Sequence, residues 1–221
     1  TAESEGENVK MGRIMTYAEE FDMMVRKVAP YTDMITLDFS HPEVELSRII
    51  ADRSVMIPLL QNLKHAAAEA APIHPPKLLI KIPLGLTPME VPLVCESLIT
   101  GGVDGVIVAG PLSLSMHKVR LSKNHTAGMI SGMPVKPYIV DLISKVRQFT
   151  KGNLPIIACG GVFSGIDAYE VIAAGASLIE LGTVLRFDGP NAVTKINREL
   201  ATILRRKGID TVAKAVGIDF Y

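Results

Sequence analysis

The sequence predicts an α/β fold built on a parallel sheet, and two observations favour it. Short runs rich in Ile, Leu and Val recur along the 221 residues, separated by longer segments with helical spacing. The runs are almost continuously apolar instead of alternating, which is typical of parallel strands covered on both faces. Strands that alternate with helices are joined by right-handed crossovers, so an open doubly wound sheet and a (β/α)8 barrel are the two candidate topologies.

Five strands and seven helices are expected from this pattern. The strands are Met34–Phe39, Lys77–Ile82, Gly105–Ala109, Pro155–Cys159 and Leu178–Gly182. The helices are Tyr17–Val28, about Val55–Ala71, Pro88–Thr100, Lys136–Phe149, Gly165–Ala174, about Pro190–Lys207 and Thr211–Val216. Ser164 followed by Asp167 resembles a capping box at the start of one helix. Residues 110–135 contain no convincing element, and loops of that length are usually functional or disordered.

Glycine-containing turns at the ends of the last two strands favour the barrel over the open sheet. In barrels a phosphate cup forms from the loops after strands seven and eight, and no G-x-G-x-x-G dinucleotide motif follows the first strand here. A barrel usually takes about 250 residues, so three of its eight strands are missing from the pattern. We expect residues 1–221 to form one partial barrel domain, with residues 1–15 as a lead-in segment.

Composition and charge exclude several classes of protein. The 23 Lys+Arg balance 23 Asp+Glu, which argues against a nucleic-acid-binding surface. No apolar run reaches the roughly 18–20 residues that span a bilayer. Cys95 and Cys159 match neither a disulfide framework nor a zinc pattern, and no spacing of His, Cys or Asp suggests a metal site. The acidic start, Thr1–Lys10, does not resemble a targeting peptide, so we expect a soluble intracellular chain that begins after processing, after truncation, or partway through a longer protein.

Two glycine turns and one lysine are the candidate binding residues. Gly160-Gly161 follows the fourth strand and Gly182-Thr183 the fifth. Glycines let backbone N–H groups approach a phosphate closely, and a following helix adds the positive end of its dipole. Alternatively, these glycines only let barrel strands turn into helices. Lys81 interrupts an apolar strand, so it either meets an anionic partner inside the barrel or snorkels to solvent.

Three further runs are specific in their order and spacing: K-I-P-x-x-L-T, GGV-x-SG and AGAS-x-I-x-L-x-T. Through them the chain resembles the dihydroorotate dehydrogenase family, most closely its quinone-linked, membrane-associated class. The resemblance extends from about Glu20 to the C-terminal GIDTVAKAVGIDF. It implies an FMN-binding TIM barrel, an oxidoreductase of pyrimidine biosynthesis, and in eukaryotes a place at the mitochondrial inner membrane. The five strands then correspond to strands four to eight, with the N-terminal strands missing.

The resemblance also assigns residues to the flavin. Lys81 falls on the family lysine that contacts the pyrimidine edge, where negative charge develops when the cofactor is reduced. The other residues form two phosphate turns and one flavin-lining pair: Gly160 and Gly161, Gly182 and Thr183, and Ser131 and Gly132.

The substrate side departs from the family. The motif N-x-S-S-P-N-T is represented by residues 38–44, with Asp38 and Glu43 in place of both asparagines and His41 in place of the catalytic serine. The family triplet T-N-T is replaced by residues 109–111 (Ala-Gly-Pro). A carboxylate about 4 Å from anionic orotate costs roughly 4 kcal/mol at an effective dielectric near 20. Dihydroorotate oxidation is therefore not expected of this chain.

Two functions follow as hypotheses. The chain is either a non-catalytic relative, holding FMN or another phosphate ligand as a structural or binding component of a larger mitochondrial assembly, or an active FMN oxidoreductase with an altered substrate. In the second case His41, with an ordinary pKa of about 6.5, is the base; otherwise it is a partly exposed residue paired with Glu43 or Glu45. Five strands alone leave two exposed edges. We therefore expect a protein partner or a further chain segment to complete the barrel, with membrane contact only through it.

Overall fold

The predicted strands form one parallel sheet in a computed structural model, which describes residues 16–40, 49–113 and 128–220. The strands of these residues, numbered in chain order, are β1 Met34–Asp38, β2 Lys77–Pro83, β3 Gly105–Ala109, β4 Leu112–Ser113, β5 Met129–Ile130, β6 Ile156–Cys159 and β7 Leu178–Glu180. The sheet has the order β1-β2-β3-β6-β7, and every neighbouring pair is parallel. Spatial order therefore follows chain order, as in one arc of a barrel.

Helices alternate with these strands, as the sequence predicts. They are α1 (residues 16–28), α2 Arg53–Ala70, α3 Glu90–Thr100, α4 Lys136–Thr150, α5 Gly165–Ala173, α6 Thr183–Asp188, α7 Asn191–Arg206 and α8 Val212–Ala215. In the described part of the chain, no helix is both long and apolar enough to cross a membrane.

Three local predictions need correction. The helix expected from Pro88 begins at Glu90, because Thr87 accepts hydrogen bonds from the Glu90 and Val91 N–H groups and closes a turn first. The last strand ends at Glu180 because the chain turns directly into α6, which the sequence did not predict. The supposedly featureless segment 110–135 contains the antiparallel pair β4–β5 and a 3-10 turn at Met133–Val135.

The sheet separates two apolar layers. On its outer face Leu78, Ile80 and Ile82 of β2 are almost fully buried and belong to the main core, which the helices share. The opposite face carries a smaller cluster of Leu79, Ile107, Ala109 and Ile157, with Cys159 packed against it. Since side chains alternate along a strand, Lys81 projects on the same side as Leu79. We call this side, with Leu79, Lys81, Ile107, Ala109, Ile157, Cys159 and Glu180, the inner face.

The inner face is open towards both edges of the sheet. A cavity of about 290 Å³ lies beside it, lined by Leu79 and Ile157 together with Met34 of β1 and Leu178 of β7. Met34 is 52% exposed and Leu178 is 63% exposed. Among the described strands, β1 and β7 each pair with one neighbour. Apolar side chains of the inner face are therefore buried at the centre of the sheet and exposed at its edges.

Asp167 connects the turn after β6 to the first residue of α4 through hydrogen bonds of its carboxylate. Its side chain is 7% exposed and accepts hydrogen bonds from the Phe163 N–H at 3.0 Å, the Ser164 hydroxyl at 2.8 Å and the Lys136 ammonium at 2.6 Å. Ser164 Oγ in turn accepts from the Asp167 N–H at 3.2 Å, so the N-cap bond of the expected capping box is present. The reciprocal bond differs from the expectation, because the Asp167 carboxylate accepts from the N–H of Phe163, one residue before the N-cap. Burial opposes ionisation of Asp167, but these donors outweigh it and hold the pKa of the carboxyl below its usual value.

Replacing Asp167 tests how much this anchor stabilises the fold. We expect Asp167→Asn to lower the free energy of unfolding by about 2 kcal/mol at pH 7, because the Lys136 ammonium keeps only Glu170 as partner. The folded-state pKa lies below the unfolded value of about 3.9, so this stabilisation is present above about pH 4 and is lost as the pH falls through the folded pKa. Urea unfolding at pH 7 and at pH values below 4 measures both effects.

A matched control is Asp141→Asn, which removes the partner of Lys145 at 2.7 Å in an ion pair within one helix. Asp141 is 63% exposed, so its loss should change the free energy of unfolding little. Equal losses for the two variants would contradict the role assigned to Asp167.

Candidate functional site

The residues after β5, β6 and β7 meet at one end of the sheet. The Thr183 hydroxyl donates a hydrogen bond to Ser131 Oγ at 3.2 Å. A Cβ added at Gly132 would lie 3.0 Å from Thr183 Cγ2, and one added at Gly160 would lie 3.3 Å from Val135 Cγ2. The three residue pairs singled out in the sequence, although separated along the chain, are therefore brought together.

Most of these glycines have a structural reason of their own. Gly132, Gly160 and Gly161 have φ values of +82°, +135° and +75°, a range that side chains disfavour. At Gly161 a Cβ would also lie 2.6 Å from the Lys136 Cβ. At these three positions, the turn from strand to helix is enough to explain why the residue is glycine.

Gly182 is different. Its φ is −125°, and a Cβ added there would meet nothing within 4 Å. Neither a left-handed φ nor packing among the described residues requires a glycine at this position. The open space lies beside Thr183 and its hydrogen-bond partner Ser131.

Backbone donors are also free at this end of the sheet. The N–H groups of Gly161, Gly182 and Thr183 form no hydrogen bond with another described residue. Gly161 is buried, and a buried amide without a partner is rare in folded proteins. These donors are suited to an anionic ligand. Lys136, the cation nearest to Gly161, is already held by Asp167 and by Glu170 at 2.7 Å.

Lys81 meets an anionic partner, one of the two alternatives expected from the sequence, but the sequence did not identify that partner as Glu180. Its side chain is 20% exposed and its Nζ lies 3.6 Å from Glu180 Oε2 of β7, so it crosses the inner face instead of extending to solvent. Two strands, β3 and β6, separate the two residues in the sheet. A signal for this contact existed, because Glu180 interrupts the apolar run LIELG as Lys81 interrupts LLIKIP.

Cys159 lies between these charges. Burial raises the pKa of its thiol to about 11, although Lys81 acts in the opposite direction. Cys95, buried on α3, has a thiol pKa raised to about 11 by burial alone. Such pKa values leave only a small thiolate fraction near neutral pH, so neither cysteine is suited to be a catalytic nucleophile.

The candidate substrate residues are only partly described. Asp38, which is in register with Lys81, accepts hydrogen bonds from the Ser40 N–H at 2.8 Å and the Ser40 hydroxyl at 2.6 Å. His41, the proposed base, and Glu43 lie outside the described residues. Among the residues that are described, no group of three or more His, Cys, Asp or Glu side chains could hold a metal ion.

Comparison with known proteins identifies the family. The sequence model of dihydroorotate dehydrogenase matches residues 4–204. The quinone-dependent dihydroorotate dehydrogenase of Rhodospirillum rubrum is 34% identical over 207 residues, which cover 91% of this chain and 55% of that protein. The mitochondrial quinone-dependent enzyme of Mus musculus is 31% identical over 195 residues, covering 88% of this chain and 49% of that protein. This chain spans about half the length of the relatives it matches.

Solved structures agree with the sequence comparison. The dihydroorotate dehydrogenase of Eimeria tenella in complex with ferulenol superposes with a TM-score of 0.84 at 26% identity, covering 92% of this chain and 58% of that one. Its ligand-free form gives a TM-score of 0.81 at 29% identity, covering 91% of this chain and 60% of that one. The α/β fold with its parallel sheet is thus that of a TIM-barrel family, and the resemblance seen in the sequence motifs is confirmed: this chain belongs to the dihydroorotate dehydrogenase family.

Proposed function

We propose that this chain is a divergent flavoprotein domain that binds FMN at the C-terminal end of its sheet. The observation that carries the proposal is the open space at Gly182, a glycine that neither a left-handed φ nor packing among the described residues explains. The space adjoins Thr183 and Ser131, which hydrogen-bond to each other at 3.2 Å. A phosphate bound there accounts for a glycine that the fold itself does not require.

The residues present fit such a cofactor. The N–H groups of Gly161, Gly182 and Thr183, which bond to no other described residue, are the donors we assign to the phosphate. Lys81 is the cation we assign to the flavin ring, because it lies across the inner face at the same end of the sheet. When bound, FMN would supply the hydride-accepting chemistry that these side chains lack.

The same site is poorly suited to dihydroorotate. Asp38 and Glu180 bring two carboxylates to an end of the inner face where Lys81 is the cation. Ala109 is fully buried and offers no side-chain donor or acceptor. A substrate that is itself a carboxylate is repelled by this arrangement. We therefore propose that the chain does not oxidise dihydroorotate and serves as a structural or binding component of a larger assembly.

The competing function is that of an active FMN oxidoreductase with another substrate. Lys81 on the inner face and the presence of both glycine turns support it. In this case His41 accepts the proton while the hydride leaves the substrate, since its ordinary pKa of about 6.5 suits a base at neutral pH.

We also propose that another polypeptide segment, within a longer chain or in a partner, closes the barrel. The open edges of the inner face, with Met34 and Leu178 more than half exposed, support this. The coverage of about half of each relative supports it too. Relatives from Mus musculus and Oryza sativa are named as mitochondrial, and on that basis we place the assembly in the mitochondrion, with inner-membrane contact made through the completing segment.

Flavin content and a Gly182 variant test cofactor binding. We expect the natively purified protein to release flavin in stoichiometric amount on denaturation. Gly182→Val should weaken FMN binding by at least about tenfold, or about 1.4 kcal/mol, because the new side chain occupies the space assigned to the phosphate. The flavin-free forms of the variant and the wild type should unfold at the same temperature, since a Cβ there meets nothing within 4 Å, whereas bound FMN should stabilise the wild type further.

Ala201→Val, which adds the same branched side chain at an exposed position of α7, should retain its flavin. A folded protein without flavin, or a Gly182→Val variant that binds FMN as tightly as the wild type does, would refute the proposed site.

Reduction of the bound flavin separates the two functions. Dihydroorotate should leave the flavin oxidised under anaerobic conditions, because the site holds more carboxylates than cations. Bleaching by dihydroorotate contradicts our proposal. If a different substrate reduces the flavin and His41→Ala abolishes that reduction while retaining FMN, the oxidoreductase hypothesis is correct instead.

Hydrogen exchange tests the completion of the barrel. Amides of the edge strands β1 and β7 should exchange faster in this chain produced alone than in the natively isolated assembly, whereas amides of the central strand β3 should be protected in both. Mass spectrometry of peptides from each strand provides the comparison. Equal exchange of the edge strands in the two samples is the contrary result.

A further inference from the structure

Lys81 and Glu180 place an ion pair on the otherwise apolar centre of the inner face. Lys81 Nζ and Glu180 Oε2 are 3.6 Å apart, with side chains that are 20% and 42% exposed. The residues belong to β2 and β7, with two strands between them, so the ion pair spans most of the sheet. It lies over apolar side chains of the inner-face cluster, which include Ala109 and Ile157.

Few other charges face this pair among the described residues. Asp38 on β1 is in register with Lys81, but its Oδ1 already accepts both hydrogen bonds from Ser40. Cys159 contributes an un-ionised thiol, since burial raises its pKa to about 11. At the C-terminal end of the inner face, the described residues thus place one cation beside two carboxylates.

We propose that Glu180 is the specificity-determining residue of this site, because its carboxylate cancels the charge of Lys81 and makes the inner face reject anionic ligands in favour of neutral ring systems. The inference extends the proposed function, in which the ligand is FMN. Without Glu180, the ammonium of Lys81 would be an anion-binding group on an apolar surface. With it, a neutral ring that lies against the pair is neither attracted nor repelled by a net charge.

Cys159 provides a reporter that needs no flavin, since its thiol interacts with both Lys81 and Glu180. Iodoacetamide is neutral and iodoacetate is an anion, and both form a carbon–sulfur bond with the thiolate while iodide leaves. Because both reagents attack the same thiolate, the thiolate fraction cancels in the ratio of their rates. The ratio of iodoacetate to iodoacetamide labelling therefore measures how strongly this site discriminates against anions.

The experiment compares this ratio in the full chain and its variants, with labelling at Cys159 and Cys95 resolved by peptide mass spectrometry. Glu180→Gln should raise the ratio at Cys159 about tenfold, because it removes the repulsion between the Glu180 carboxylate and the iodoacetate anion. The size of the effect assumes a separation of about 6 Å and an effective dielectric of about 40. Lys81→Gln should lower it. Glu96→Gln is the matched control, because it removes a carboxylate paired with Arg53 at 2.5 Å between two helices and should leave the ratio unchanged.

A Glu180→Gln ratio equal to that of the wild type would overturn the inference. This result does not depend on flavin. A chain that lacks flavin but shows the expected ratios refutes the proposed cofactor and leaves the role of Glu180 standing. A chain that binds flavin but shows no change in the ratio supports the proposed cofactor and refutes the role of Glu180.

Discussion

The common direction of the five adjacent strands is the constraint on which the rest of the structure depends. Because β1, β2, β3, β6 and β7 are all parallel, the segments that follow them emerge at one end of the sheet. Ser131 and Thr183, 52 positions apart in the chain, can therefore hydrogen-bond to each other. Each functional side chain here is placed by that shared direction more than by its immediate neighbours in sequence.

Charges on the inner face follow from the same arrangement. A lysine and a glutamate, each within an apolar strand, would separately be costly to bury. Because the sheet brings Lys81 and Glu180 to 3.6 Å, each offsets the cost of the other. Lys81 is therefore present with a neutralising carboxylate beside it, and our proposal about ligand charge rests on this pairing.

The glycines divide into two groups with different physical explanations. Gly132, Gly160 and Gly161 have positive φ values, so the turns from strand to helix need them whether or not a ligand is present. Gly182 has neither a positive φ nor a close neighbour. Glycines that all look alike in the sequence thus differ in whether the turn itself explains them, and Gly182 is the position on which our proposal of a ligand rests.

The sequence by itself determined the fold class, the five strands of the sheet and the family, because continuous apolar runs, helical spacing and ordered motifs are local properties. It also identified Lys81 and the residue pairs that meet at one end of the sheet. It did not predict β4–β5, α6 or the Glu180 partner of Lys81, since each depends on residues far apart in the chain or on where a strand gives way to a helix. These three features could be seen only in the tertiary structure, because contacts between residues far apart in the chain depend on how the folded sheet positions them.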